Sequence, residues 1–198
     1  MKKSRYRMVK GMADILPAET ARWSLLEARV RDICARFGHG EIRTPLVEST
    51  ELFVRSIGEA TDIVEKEMFT FSDAAKKSLT LRPEGTAGVV RAYLEHTIRV
   101  HHPLAKLYYL GPMFRREKPQ AGRRRQFHQF GTETLGATHP ALDAETIDLM
   151  VGYVWDLGLK NYELAVNSVG CEQCRPKYIH ALNNYLQKRI NELCDNCK

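Results

Sequence analysis

An α+β fold, an antiparallel sheet flanked by helices, is what the order of patterns along this 198-residue chain predicts. Three observations carry the prediction. Two stretches rich in aromatic and small residues, AKLYYLGPMF and QFHQFGTETLG, face each other across one short polar loop, as packed antiparallel strands do. A second pair of alternating stretches, EKEMFTFSD and SLTLRP, is joined by turn residues at 73–77. Helical periodicity dominates the segments before and after these strands.

In order, residues 19–37 place Trp23, Leu26, Val30, Ile33 and Phe37 three and four apart, and Gly38 follows where a helix end favours a left-handed residue. This is an amphipathic helix, with Cys34 beside its apolar stripe as a core residue. EIRTPLVE is a short extended piece in which Pro45 cannot donate to a ladder and belongs at an edge or interface. STELFVRSIG is a short helix with Ser49 or Thr50 as cap. After the hairpin, residues 84–96 bury Val89, Val90, Tyr93 and Leu94 on one helical face. A helix is expected over 140–157, a strand in NYELAVNSVG with Tyr162, Leu164 and Val166 on one face, and a last helix reaching residue 190. The character shifts near residues 158–170, so the expected division is a domain over 1–165 and the start of a second over 166–198.

The composition, 43% hydrophobic and 27% charged, is that of a globular protein and excludes the disordered class. No apolar run approaches the roughly 18 residues a membrane helix needs, and the basic start lacks an apolar stretch for export, so the expected location is the cytoplasm. A net charge of +6 suits phosphate-bearing partners.

Much of that charge sits in one loop. Residues 114–133, FRREKPQAGRRRQFHQFGTE, carry Arg115, Arg116, Lys118, Arg123, Arg124 and Arg125 against Glu117 and Glu133. A solvated turn is the plain explanation of such a run. The alternative is an anion site. A guanidinium held at the end of a strand, as Arg115 is, grips phosphate or carboxylate with two parallel hydrogen bonds, and arginines on the loop neutralise the charge of nucleotidyl transfer. On the return strand Phe127 offers a ring for a base, and Gln129, Gly131 and Glu133 share its face. His128 falls on the opposite face and is assigned a structural role.

Cys171, Cys174, Cys194 and Cys197 form C-x2-C-x19-C-x2-C, a spacing that supplies four thiolates to a structural zinc ion. Four reduced thiols around a helix end is the competing reading.

GMADILP, IRTPLVE, TLRPEGT and GPMFRREKPQAGRRRQFHQFGTE together resemble the N-terminal half of histidyl-tRNA synthetases, a family of class II aminoacyl-tRNA synthetases. The resemblance implies a class II antiparallel sheet flanked by helices, followed by a small α/β insertion domain. It implies a ligase that activates histidine with ATP and Mg2+ and charges tRNA(His), with no DNA or membrane partner. Pro45 then resembles a motif 1 residue at a homodimer interface. Arg115 resembles the catalytic motif 2 arginine that binds the ATP α-phosphate and the histidine carboxylate. Glu117, Arg123 and Phe127 resemble ATP-binding residues meeting the adenine amino group, the γ-phosphate and the adenine ring. Glu84, Thr86, Gln129 and Glu133 resemble residues of the histidine pocket, and Gln120 and Arg125 are candidates for tRNA contact. Motif 3 and an anticodon-binding domain would lie beyond Lys198, so a fragment is expected. Two other readings stand beside this one: a synthetase-like regulatory subunit without aminoacylation, and a zinc-containing RNA-binding module.

Overall fold

In the computed structural model the described residues are 6–57, 67–168 and 170–194. They divide into two compact units, Met1–Lys160 and Asn161–Lys198. The first is built on two three-stranded sheets.

Helix α1, Pro17–Arg36, starts with a proline where a missing N–H costs nothing and ends at Gly38, whose φ of +75° lets His39 N–H donate to Cys34 O at 2.8 Å. The chain then passes through β1, Gly40–Glu41, and β2, Val47–Ser49, into α2, Thr50–Ile57. Thr50 does not cap that helix through its hydroxyl, which instead meets Ser78 Oγ at 2.8 Å and Thr80 Oγ1 at 2.9 Å. The helix start is thereby tied to the hairpin of β3, Phe69–Ser72, and β4, Ser78–Leu81. The turn falls where the sequence placed it. Lys77 N–H donates to Asp73 Oδ1 at 2.8 Å, and Lys76 takes the left-handed conformation with φ 62°. These three strands form one antiparallel sheet in the order β2-β4-β3.

Helix α3, Thr86–Glu95, and the single turn α4, Ile98–His101, lead into β5, Ala105–Phe114, which pairs over its whole length with antiparallel β6, Gln126–Leu135. The sheet is mixed rather than wholly antiparallel, because β1 adds to β5 in parallel through Gly40 to Leu107 and Glu41 to Tyr108. One face is covered by α1 and α5, Ala141–Asp156, through Val30, Ile33, Cys34, Tyr108 and Leu149. Gly152 lets these helices approach closely, since a Cβ there would stand 3.1 Å from Ile33 Cδ1. Cys34 is fully buried, and burial pushes its thiol up to about 11. The opposite face packs Tyr109 and Met113 with Val89 of α3.

Arg82 joins the two sheets. It is 6% exposed, and its side chain donates to Pro112 O at 3.0 Å, Thr44 O at 3.0 Å and Thr44 Oγ1 at 3.2 Å. A buried guanidinium is tolerated only with such partners. Tyr109 fixes the other end of the α3 face: a Cβ on Gly85 would lie 2.2 Å from its ring, and one on Gly131, its cross-strand partner, 2.4 Å from its hydroxyl. Gly131→Ala is therefore expected to overpack the site at a cost of about 1–3 kcal/mol. A lower urea midpoint at unchanged slope would register it, and an unchanged midpoint would show that Tyr109 moves aside freely.

The second unit holds α6, Arg175–Gln187, and a short 3-10 turn, Ile190–Glu192. The strand expected in NYELAVNSVG is not formed among the described residues 161–168. A strand needs a ladder partner, and among the described residues this segment finds none. Leu164 and Val166 are exposed there.

Candidate active site

The basic loop leaves β5 at Arg115 and returns to β6 at Gln126, so the sheet register decides what its residues face. Phe127, Gln129, Gly131 and Glu133 alternate onto the α3 side, opposite Met113, Gly111, Tyr109 and Leu107. His128 falls on the other side, its ring 4.6 Å from that of Trp23 of α1, and burial lowers its pKa. It packs against Trp23 and is also among the residues lining the cavity at the loop.

At the loop end of this face Arg115 is held on two sides. Its Nε donates to Pro83 O at 3.0 Å, and its guanidinium lies 5.1 Å from the centre of the Phe127 ring. Arg123 Nη1 meets Glu117 Oε2 at 3.1 Å, which brings the loop cation back over the neck. Arg115, Glu117, Arg123 and Phe127 line one cavity of about 470 Å3, together with Arg124 of the basic run, His128, and Glu67, which no sequence motif singled out. Arg116 N–H donates to Glu67 O at 2.6 Å, so the segment entering β3 closes one side of the cavity. No local pattern could have shown that, because Glu67 is distant in sequence.

Further along the face Thr86 Oγ1 donates to Glu133 Oε1 at 2.7 Å. Burial raises the Glu133 pKa, the Thr86 bond lowers it, and the charge of Glu84 raises it again. Glu84 is also a helix cap. Its carboxylate accepts the N–H of Thr86 at 2.6 Å and of Ala87 at 2.9 Å, satisfying the open amides at the start of α3. Glu84 and Thr86 also line a larger cavity of about 820 Å3 between α2 and α3, with Leu52, Val90 and Leu94 as its apolar wall. Between the two groups, Gln129 Oε1 is buried with no hydrogen-bond partner among the described residues. Such an acceptor is costly unless something outside the chain satisfies it.

Of the residues expected to face RNA, Gln120 is exposed at the loop tip, where it exchanges two backbone hydrogen bonds with Arg123. Arg125 is turned inward at one nitrogen, its Nε donating to Glu117 O at 3.2 Å. Tyr109 was also missed as a site residue. The one signal for it was a glycine directly across the ladder, an opening that a ring fills.

This arrangement offers cations for an anion at one end, a ring for stacking beside them, and a half-buried carboxylate with an unsatisfied amide oxygen further in. A model of the family described as histidyl-tRNA synthetase matches residues 11–174. The chain belongs to the histidyl-tRNA synthetase family. It is 55% identical over 190 residues to a histidine–tRNA ligase of Pelobacter propionicus, covering 96% of this chain and 46% of that one. A histidine–tRNA ligase of Desulforudis audaxviator is 56% identical over 189 residues, covering 96% and 45%. The crystal structure of apo S. aureus histidyl-tRNA synthetase matches with a TM-score of 0.73 at 39% identity over 97% of this chain and 45% of that one. The chain thus spans about half the length of the curated relatives it matches. Its α+β architecture is that of the histidyl-tRNA synthetase fold.

In the second unit Cys171 Sγ and Cys174 Sγ lie 3.4 Å apart, and Cys171 N–H donates to Cys174 Sγ at 3.0 Å. Gly170, with φ +76°, leaves room for this knuckle, since a Cβ there would stand 2.8 Å from the same sulfur. No group of three or more metal-binding side chains gathers among the described residues; Cys194 is exposed and Cys197 lies outside them. No described helix is long and apolar enough to cross a membrane.

Proposed function

We propose that this chain carries the nucleotide- and histidine-binding half of a histidine–tRNA ligase, which joins histidine to ATP as histidyl-adenylate and passes it to tRNA(His). The observation that supports it most is the alignment, on one sheet face, of a clamped Arg115 over Phe127 with the buried Gln129 Oε1 and the Thr86–Glu133 pair. In the first step a carboxylate oxygen of histidine attacks the α-phosphorus, the bond from that phosphorus to the bridging oxygen breaks, and pyrophosphate leaves. The step requires no protein nucleophile. Arg115 holds the carboxylate and α-phosphate together, while Arg123 and Glu117 meet the far phosphate and the adenine amino group and Phe127 stacks on the ring. Glu84, Thr86 and Glu133 form the polar wall for the cationic amino acid, and Gln129 Oε1 accepts one of its N–H groups.

The described residues fit magnesium only as a companion of the triphosphate, because no cluster of three or more ligating side chains gathers among them. When bound, Mg2+ neutralises phosphate charge. The acceptor end of tRNA is read as lying against the loop tip, with Gln120 and Arg125 in contact. A homodimer through the motif 1 strand is part of the same reading; Pro45, Leu46 and Val47 are exposed in the single chain, and light scattering tests it. The reaction itself is tested by a thermal-shift titration with a non-hydrolysable histidyl-adenylate analogue against the alanyl analogue. A shift that does not distinguish them would remove the histidine assignment.

For the second unit we infer a structural zinc ion held by Cys171 and Cys174, the pair already in a knuckle, with Cys194 and Cys197 completing the set by spacing. Purified protein is expected to carry about one zinc per chain, and a strong chelator is expected to melt α6, because metal binding there is folding free energy. Absence of zinc together with helix content indifferent to chelator would leave four plain thiols.

A further inference from the structure

GMADILP is the family-resembling stretch to which neither the proposed reaction nor the proposed dimer assigns a role. It forms a tight turn: Met12 N–H donates to Val9 O at 3.0 Å, and Gly11 has φ +87°. Lys76 and Thr97 are the positive-φ non-glycines among the described residues, so Lys10 keeps negative φ and the turn is type II, the class that wants glycine at its third position.

The turn sits on the neck of the basic loop. Gly11 O accepts the N–H of Arg125 at 2.7 Å and that of Gln126 at 3.3 Å. A Cβ on Gly11 would stand 2.9 Å from Pro119 Cγ and 2.9 Å from Arg125 Cγ, and these belong to the outgoing and returning limbs. One residue thus touches both. Inside the neck Arg115 N–H donates to Arg125 O at 2.9 Å. Beyond it the tip is closed by Gln120 and Arg123 around Gly122, whose φ is +78°. Phe127 follows directly on the two residues that Gly11 O holds.

We propose that the Gly11 turn is a strap clamping the neck of the basic loop, and that Gly11 is a positioning residue for the anion site. A loosened strap lets the return limb shift, and Arg123, Arg124 and Phe127 then no longer face one cavity. The nucleotide as occupant rests on the function proposed above.

The loop's own arginines provide the test through limited trypsin digestion below the melting transition, with cleavage mapped by mass spectrometry. In Gly11→Ala, cleavage after Arg123, Arg124 and Arg125 is expected to rise about tenfold, the factor that 1.4 kcal/mol corresponds to. Gly38→Ala is the control, because Gly38 has a similar φ of +75° but open space around it, and its loop cleavage is expected to match wild type. Lys10→Pro presets the second turn residue and is expected to slow cleavage. Equal cleavage in Gly11→Ala and Gly38→Ala overturns the strap. If Gly11→Ala does not fold, the Lys10→Pro result decides: slower cleavage supports the strap and unchanged cleavage overturns it. Calorimetric titration of the same proteins with MgATP separates the two layers. A tenfold weaker affinity in Gly11→Ala supports strap and occupant together. No MgATP binding by wild type defeats the nucleotide reading and leaves the strap to the digestion result.

Discussion

Replacing Arg115 with alanine is expected to abolish the thermal shift produced by a histidyl-adenylate analogue while leaving the unliganded protein nearly as stable as wild type. The two halves of that expectation come from different contacts. In the free protein Arg115 contributes one hydrogen bond to Pro83 O and a stacking contact with Phe127, each worth about 1 kcal/mol or less at a partly exposed site. In the complex proposed above its terminal nitrogens would face the α-phosphate and the carboxylate, where a lost bidentate, charge-assisted pair costs about 3 kcal/mol or more. Ligand at about 100 times its dissociation constant adds roughly 2.7 kcal/mol to wild type, and a hundredfold weaker complex would add only about 0.4 kcal/mol. For a unit of this size that difference is roughly 5–10 °C of melting temperature. Arg115→Lys keeps the charge but not the planar fork, and an intermediate shift is expected. Equal shifts in wild type and Arg115→Ala would mean that the ligand sits elsewhere, and the assignment of the cavity at residues 115–127 would fall.

The parts of the fold legible in the sequence are those whose signal is local. The stripe of α1 with Gly38 behind it, the Asp73–Lys77 turn and the two strands around the basic loop are each written within about twenty residues, and the structure places them within a few residues of expectation. The parallel pairing of β1 with β5 was not legible, because it rests on two residue pairs whose partners lie far apart in the chain. Burial along β5 was hidden for a related reason: Tyr108 and Tyr109 are consecutive and both buried, since helices cover both faces of that hairpin and no polar side remains to alternate with. Tyr162, Leu164 and Val166 misled in the opposite direction, for alternation expresses a preference for pairing but cannot supply a partner. In the site, alternation on β6 predicted that Phe127, Gln129 and Glu133 share a face. It could not predict that Glu84 caps α3, that Tyr109 fills the space at Gly131, or that Gly11 reaches the loop. Each of those depends on a contact made after the chain has folded.

Glu133→Gln is expected to move stability and binding in opposite directions, and the sign follows from its surroundings. Burial and the neighbouring charge of Glu84 hold the Glu133 pKa above its ordinary 4.5, with the Thr86 hydroxyl opposing them only in part. A carboxyl whose folded pKa is raised contributes stability that is fully present below the unfolded value and is lost as pH rises through the folded one. At pH 7, above the unfolded carboxyl's ordinary 4.5, that stability is reduced in the empty protein, and the glutamine variant, close in shape and still able to accept from Thr86, should melt higher. Below about pH 4.5 the gain should vanish, since the wild-type carboxyl is then protonated in both states. The ligand reverses the balance. In the proposed complex a cationic amino acid set against Glu133 restores the missing partner, and losing that half-buried charge pair is expected to weaken binding by about 2 kcal/mol. Melting curves at pH 7 and pH 4, with and without the adenylate analogue, read both effects from one pair of proteins. A glutamine variant that melts lower than wild type at pH 7 would show that the Thr86 bond, not burial, governs Glu133. A carboxylate already content in the empty pocket would have little reason to await a cation.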